Sequence, residues 1–288
     1  MQNNRFFVVV HQSMRQETTN SEIKRLLDSR ILQYNNVEFI TTDPIQIPHR
    51  FTRKEDIEIA AFLTATISWG QRKSIINNGN RLMELMDNSP YEFLMDLPDS
   101  IHRLTLSQPL NELERLKSFV HRTFNGNDCL FFLESLKNIY THQGGLEAVF
   151  TNGYMQDQSV FGALKHFREV FLSVAHDTHV KKHISDVAAN SSAKRLNMFL
   201  RWMVRSNENE VDFGLWKSIP ASALMLPLDV HTGDVARAYG LLNRKQNDWK
   251  AVEEITAILR EFDPSDPIKY DFALFGIGAF EGKNQILI

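Results

Sequence analysis

Cysteine is almost absent from this sequence, since Cys129 is the only thiol among 288 residues. One thiol excludes a disulfide framework, a four-cysteine zinc site and a cysteine-ligated iron–sulfur cluster, because each of these needs several cysteines. Glycine and proline are also scarce, at 13 and 9 residues. A protein with many β-strands needs turns that are rich in these two residues, so their scarcity favours helices.

Long apolar runs are missing too. No stretch approaches the roughly 18 apolar residues of a membrane-spanning helix, so we expect no membrane partner. The early apolar run Phe6–Val10 follows a lone Arg5 and lacks a small-residue cleavage site, which makes it a poor signal peptide. The run fits a short strand as well as it fits an extension upstream of the native protein. In the second case translation starts at Met14, and residues 1–13 lie outside the native chain. The cytoplasm is the default expectation.

Large apolar side chains at helical spacing dominate what is present. Hydrophobic residues make up 43% of the chain, with 20 Phe against 6 Tyr. The spacing predicts roughly a dozen helices and no sheet. The segment Lys54–Trp69 is apolar nearly all round, which is typical of a central, buried helix. We therefore predict an all-α protein.

The net charge of −3 is unevenly distributed. The segment from Lys165 to Arg205 contains eight basic residues and three acids, a net charge of +5, so the remainder carries −8. A basic segment of this kind favours binding to a phosphate backbone. Within it, Lys194, Arg201 and Arg205 lie near one line on a predicted helix, opposite its apolar stripe. A solvated helix face is the alternative interpretation.

Two residues, Lys194 and Asp229, together suit attack on a sugar. Asp229 precedes the predicted helix Val230–Leu242 as its N-cap, where free N–H groups and the helix dipole keep a carboxylate ionised. Capping alone is the alternative role. The polar segment after residue 205 and the chain that continues from it to residue 228 are together long enough to bring Asp229 back beside Lys194. A lysine amine next to a carboxylate suits imine formation at C1′, with the carboxylate stabilising the cationic transition state.

Three segments resemble the helix-hairpin-helix base-excision DNA glycosylases, in the same order as in that superfamily. They are ATISWGQR at 65–72, PLDVHT at 227–232 and DFALFGIG at 271–278. Closer still, IPHRF at 47–51, AKRLNMFLRWM at 193–203 and DVHTG at 229–233 resemble a bacterial family of unknown function that is similar to a distant branch of the superfamily. The separation of 35 residues between Lys194 and Asp229 is most similar to the archaeal 8-oxoguanine glycosylase branch.

The resemblance implies an all-α, two-lobed fold with DNA in the cleft between the lobes. One lobe is then a helical barrel, residues 52–205, ending in a hairpin-like element, and residues 1–51 with 206–288 form the other. The implied activity is a DNA glycosylase, with or without associated lyase activity, that excises a damaged purine, 8-oxoguanine foremost. Lys194 is the implied nucleophile and Asp229 the catalytic carboxylate. No cofactor and no obligate protein partner are implied.

The resemblance also implies contacts with damaged double-stranded DNA. The expected DNA-binding residues are Gln71, Arg72, Ser191, Ser192, Arg195, Arg201 and Arg205. A flipped base is gripped by aromatic faces, and the candidates for this pocket are Trp69, Trp202, Trp216 and His231. Core packing is the alternative for the tryptophans. The Leu-Pro-Gly-Val-Gly hairpin of the superfamily is replaced here by VAANSS at 187–192.

Two other functions stay open. A non-catalytic DNA-binding protein would keep the fold without the reaction. His176, His179 and His183 follow the spacing i, i+3, i+7 of one helical face, with Asp177 beside them. Three histidines at this spacing suit a metal ion and suggest a His–metal phosphohydrolase. Our main interpretation contains no metal.

Overall fold

The computed structural model describes residues 20–98 and 111–281. Most of these residues are helical, which confirms the all-α class. Two short strands, β1 (Val120–His121) and β2 (Phe124–Asn125), form an antiparallel pair that is absent from the sequence prediction. The run Phe6–Val10 and the alternative start at Met14 lie outside the described residues. Within the described residues, no helix combines the length and the apolar character needed to cross a membrane.

The helices follow one another with short connections. In the described residues they are α1 (20–34), α2 (Val37–Ile40), α3 (Lys54–Thr66), α4 (Arg72–Leu85), α5 (Pro90–Asp96), α6 (Asn111–Lys117), α7 (Gly126–His142), α8 (Leu146–Asp157), α9 (Val160–Phe171), α10 (Lys194–Val204), α11 (Val230–Ala238), α12 (Trp249–Phe262) and α13 (Tyr270–Gly276). Single turns of 3₁₀-helix occur at Pro44–Gln46, Pro48–Arg50, Ala221–Ala223 and Pro267–Lys269, a longer one occurs at Thr178–His183, and a π-helical turn, Ile277–Glu281, follows α13.

Most helix bounds lie within a few residues of the positions that the apolar spacing predicts. For α12 the spacing predicts a helix over Trp249–Phe262, and the structure has the same bounds. Helix α9 is an exception, because it ends at Phe171 although helical spacing predicts a continuation to His176. Apolar residues continue past the end of this helix, so periodicity alone does not reveal where it stops. Apolar spacing also predicts one helix over Leu110–Phe124, whereas the described helix α6 ends at Lys117 and is followed by the β1–β2 hairpin.

Helix α3 lies at the centre of the core, as its apolar composition predicts. Every side chain from Ile57 to Thr66 is buried. The ring of Phe62 packs at centroid distances of 5.4–5.9 Å against rings from α7, α9 and α10, namely Phe132, Phe167, Phe171 and Phe199. Burial of each such ring contributes roughly 1.5–3 kcal/mol. These contacts hold α10 in a fixed position against α3.

Helix α10 starts abruptly after an unusual residue. Its N-cap, Ala193, is buried and has a φ of 48°, in the left-handed region that residues other than glycine seldom adopt. The chain therefore turns sharply before Lys194, the first residue of the helix. The tight turn before it, residues 187–190, is held by Asn190, whose Nδ2 donates to Asp248 Oδ2 at 3.0 Å. This anchoring fixes the direction in which α10 begins.

Candidate functional site

A cavity of about 810 Å³ lies where α10 and α11 begin. Its volume falls within the roughly 300–1,000 Å³ that is typical of small-ligand pockets. Residues from distant parts of the chain line it, including Trp69, Arg72, Lys194, Asp229, His231 and Asp271. The fold thus brings Lys194 and Asp229 to the same cavity, as their spacing predicts.

The Lys194 amine is half-buried and makes no ion pair with the residues that the structure describes. Its Nζ lies 3.5 Å from the sulfur of Met198, one helical turn further along α10. A thioether is only a weak hydrogen-bond acceptor. The amine is therefore held in place mainly by packing, and it has hydrogen-bonding capacity left for a ligand.

Asp229 is the N-cap of α11, as predicted. Its Oδ1 accepts a hydrogen bond from the Thr232 N–H at 2.9 Å. Its backbone carbonyl accepts one from Asn247 Nδ2 at 3.0 Å, which fixes the residue from the other side. The capping role is thus confirmed, and the capped carboxylate also lines the cavity. Its catalytic role stays a prediction.

Asp271 is a buried carboxylate in the cavity wall that sequence reasoning did not select as a site residue. It accepts a hydrogen bond from Arg201 Nη1 at 2.5 Å. Burial and the charge of Asp229 raise the pKa of Asp271 to about 6, although Arg201 and Lys194 act in the opposite direction. Asp271, Asp229 and Lys194 thus line the same cavity.

A second buried carboxylate, Asp43, lines the cavity from the N-terminal side. It caps the 3₁₀ turn Pro44–Gln46 by accepting a hydrogen bond from the Ile45 N–H at 3.0 Å. Burial raises the pKa of Asp43, and the positive charges of Arg201, Arg72 and Lys194 oppose this rise. An aspartate just before proline is a turn signal, but nothing in its spacing relates it to Lys194.

The basic stripe predicted to contact DNA is largely internal. Arg201 and Arg205 have side chains that are only 5% and 6% exposed. Arg201 binds Asp212 and Asp271, whereas Arg205 binds Asp212 and Asp266. The prediction that these two arginines contact DNA is wrong, because their guanidinium groups are buried and already paired with carboxylates of the protein. These acids come from outside α10, so the helix pattern alone does not show them.

Arg195 is also committed to the protein itself. Its guanidinium donates to the backbone carbonyls of Thr66 and His183 and lies 4.9 Å from the centre of the Trp69 ring. Burial lowers the pKa of this side chain to about 10. Arg195 therefore links α3 to the segment before α10 and does not make the DNA contact predicted for it.

The remaining predicted DNA contacts lie nearer to solvent. Gln71 is exposed at the start of α4, and Arg72 lies over the rings of Phe275 and Phe280 at 5.3 and 5.1 Å. Ser191 and Ser192 are half-buried, and Ser191 Oγ accepts a hydrogen bond from the Ala193 N–H at 3.3 Å. A role in DNA binding stays a prediction for these four residues.

Two of the predicted base-pocket residues belong to the core. Trp202 and Trp216 are 0% and 1% exposed. The indole of Trp216 donates to Glu58 Oε1 at 2.6 Å and packs against Phe150 and Phe199. The base-pocket prediction is wrong for both, since the core encloses them. Trp69 and His231 do line the cavity.

The three histidines do not share one helical face. The segment Thr178–His183 is a 3₁₀-helix, and His176 lies before it with Nδ1 2.7 Å from the Val174 carbonyl. His179 and His183 instead meet Asp128, in the first turn of α7. His179 Nδ1 lies 2.8 Å from Asp128 Oδ1, and His183 Nε2 lies 3.2 Å from Asp128 Oδ2. The predicted all-histidine set is therefore replaced by a mixed set of one carboxylate and two imidazoles.

His183 is buried and electrically neutral at ordinary pH. Burial lowers its pKa to about 4, with the Asp128 carboxylate acting in the opposite direction. Sequence reasoning missed Asp128 because it lies 51 residues before His179. The available signal was its place in a capping box, in which Asn125 accepts from the Asp128 N–H and Asp128 accepts from the Asn125 N–H.

A protein-family model described as "Protein of unknown function (DUF2400)" matches residues 43–280. The chain belongs to this family. The DUF2400 match includes Lys194 and Asp229 as well as the Asp128 cluster. No curated protein and no solved structure matches the chain.

Proposed function

We propose that this protein is a DNA glycosylase with associated lyase activity, which excises a damaged purine, 8-oxoguanine foremost, from duplex DNA. The observation that carries the proposal is that Lys194 and Asp229 line one cavity. The proposed fold is that of the helix-hairpin-helix glycosylases, with residues 52–205 as one lobe and residues 1–51 with 206–288 as the other.

The proposed reaction begins with attack of the neutral Lys194 amine on C1′ of the damaged nucleotide. The bond between C1′ and the base breaks, and the base leaves with the bonding electrons and takes up a proton. Loss of the amine proton and opening of the sugar ring give an imine between Nζ and C1′. Asp229 stabilises the positive charge that develops on the sugar, and its fixed N-cap position keeps it pre-oriented for this task.

The other walls of the cavity suit a base that has left the duplex. A flipped base is held by stacking on aromatic or apolar side chains and by hydrogen bonds to its edge. Trp69, Phe39 and Phe275 supply apolar faces, and Asn247 and His231 supply polar groups. Arg72, the first residue of α4, also lines the cavity and is the nearest candidate for a phosphate contact.

The proposal is tested by borohydride trapping, which reduces the imine to a stable covalent complex. The wild-type protein is incubated with duplexes that carry 8-oxoguanine or an abasic site, and the complex is resolved by electrophoresis. We expect trapping by the wild type and none by Lys194→Gln. Lys181→Gln is the matched control, because Lys181 is an exposed lysine of the same basic segment.

The role of Asp229 is tested by Asp229→Asn. Asparagine caps a helix about as well as aspartate, so the fold should be retained. Loss of the negative charge should slow base excision by a factor on the order of 10² or more. Trapping that persists in Lys194→Gln contradicts the assignment of the nucleophile. Duplex binding without trapping or excision on any lesion of a panel supports the non-catalytic DNA-binding protein instead.

A further inference from the structure

We propose that Asp128, His179 and His183 bind a divalent transition-metal ion, with zinc preferred. None of these three residues lines the cavity of Lys194 and Asp229, although His183 contacts Arg195, which does. The proposed metal site does not depend on the proposed function. It connects the first turn of α7 to the 3₁₀ segment Thr178–His183.

The first support is the burial and arrangement of the donor atoms. The Asp128 side chain is 1% exposed and that of His183 is 2% exposed. The Nε2 atom of His183 is fully buried, and its contact with Asp128 Oδ2 at 3.2 Å is too poorly aligned for a hydrogen bond of good geometry. A buried imidazole nitrogen held by so poor a contact is unusual, because such groups nearly always have a well-aligned partner. A metal ion between the two groups would satisfy it.

The second support is the geometry of the set. One ligand atom from each residue is available, and all of these atoms lie within 4.8 Å of one another. Zinc binds imidazole nitrogen and carboxylate oxygen at roughly 2.0–2.2 Å. Two ligand atoms at these distances from a tetrahedral ion lie about 3.4 Å apart. The contacts of 2.8 and 3.2 Å to Asp128 therefore need to widen by about 0.6 and about 0.2 Å to admit the ion. Two imidazoles and one carboxylate form a donor set typical of zinc and of non-haem iron.

The third support is an open side from which an ion can enter. A cavity of about 580 Å³ adjoins Asp128 and His179, and Asn127, His176 and Asp177 also line it. The side chain of His179 is 46% exposed to this side. A water molecule from the cavity would complete a tetrahedral coordination, since catalytic-type zinc sites combine three protein ligands with water.

Metal binding requires one local rearrangement. The Lys182 amine lies 2.6 Å from His179 Nε2 and donates to it. A neutral imidazole that binds metal through Nδ1 carries its proton on Nε2, so it no longer accepts this hydrogen bond. Lys182 is exposed and can turn into solvent. We therefore expect that replacing Lys182 by Gln strengthens metal binding or leaves it unchanged.

The experiment uses the full chain, stripped with a chelator and dialysed. Titration with zinc chloride in a calorimeter should give one ion per chain, and zinc should raise the melting temperature in a concentration-dependent manner. Cobalt(II) should give the visible absorption bands of a four-coordinate site. Absence of saturable binding at one ion per chain by the wild type overturns the proposal.

Variants then assign the ligands. His179→Ala is the main test, because its exposed side chain can be removed without disturbing the core, and Asp128→Asn keeps an acceptor oxygen for the Asn125 N–H. Each should weaken zinc binding by a factor on the order of 10 or more. His176→Ala is the matched control and should bind zinc like the wild type. Zinc affinity that is unchanged in His179→Ala, or lowered as strongly in His176→Ala, overturns the proposed set.

Discussion

Asp271 accepts a hydrogen bond from Arg201 in the wall of the cavity that Lys194 and Asp229 line. Arg201 also binds Asp212, which in turn binds Arg205, and Arg205 binds Asp266. The result is a buried network of charges between α10 and the segment that leads into α13. Arg201 and Asp271 also line the cavity, so this network forms part of its wall. Its members are different residues from the proposed catalytic pair, so each group can be tested by its own substitutions.

Removal of Asp271 should destabilise the protein strongly. In Asp271→Ala, Arg201 stays buried with one carboxylate fewer, and such a loss costs about 3–5 kcal/mol of unfolding free energy. Asp271→Asn retains an acceptor for Arg201 and should lose less. Urea unfolding followed by circular dichroism measures both. The control is Glu169→Gln in the exposed pair of Lys165 and Glu169, which should change stability by at most about 1 kcal/mol. Equal stabilities of Asp271→Ala and Glu169→Gln would contradict the network.

Arg205→Gln should lower stability and leave the electrostatics of DNA binding unchanged. The arginine is buried between two carboxylates, so it has no contact to offer a phosphate. Each phosphate contact contributes about 0.9 to the slope of log affinity against log salt. We expect Arg205→Gln to keep the wild-type slope and Arg72→Gln to reduce it by about one. Fluorescence anisotropy of a labelled duplex between low and moderate salt measures the slopes. A reduced slope for Arg205→Gln would contradict the burial argument.

Trp216→Phe should act on stability alone. The substitution removes the indole N–H that donates to the buried Glu58, and an unsatisfied buried acceptor costs about 1–3 kcal/mol. Trp69→Phe should instead weaken binding of a lesion-containing duplex, because Trp69 lines the cavity. Parallel urea unfolding and duplex titration separate the two effects. If the Trp216→Phe protein is fully folded and still binds the duplex more weakly than the wild type, Trp216 does belong to the base pocket.

Stability should fall as pH drops below about 6.5, the ordinary pKa of histidine. His121 is buried, its Nε2 donates to the Trp69 carbonyl at 3.1 Å, and its Nδ1 accepts from Asn78 Nδ2 at 2.8 Å. Burial lowers the pKa of His121 in the folded state. The unfolded chain then binds more protons below its pKa of about 6.5, so the stabilisation present above that pH is lost on acidification. Urea midpoints at pH 7.5 and 5.5 should differ less in His121→Gln than in the wild type.

Local features of the sequence predicted much of the fold. Apolar spacing located α10 and α12, because a helix that packs on a core needs an apolar stripe every three to four residues. Asp229 was recognisable as an N-cap for a similarly local reason. Chain-length arithmetic between α10 and α11 then predicted that Lys194 and Asp229 lie close enough to share a site.

The partners of buried charges were not predictable in this way. Arg201 meets Asp271 at a separation of 70 residues, and His179 meets Asp128 at 51. Periodicity describes which face of a helix is apolar, but it does not show which distant carboxylate covers a basic residue. The spacing of the histidines was misleading for a different reason. The preceding α-helix ends at Phe171, so His176 lies outside the 3₁₀-helix Thr178–His183 that contains the other two histidines.

The buried network between α10 and α13 has a consequence for how a ligand enters. A hinge motion that opened the cavity between these helices would separate Arg201 from Asp271 and Arg205 from Asp266. Each separation would leave charges unpaired in a poorly solvated interior, which is energetically expensive. We therefore expect the cavity to be shaped before its ligand arrives, with adjustments confined to side chains at its mouth such as Arg72 and His231.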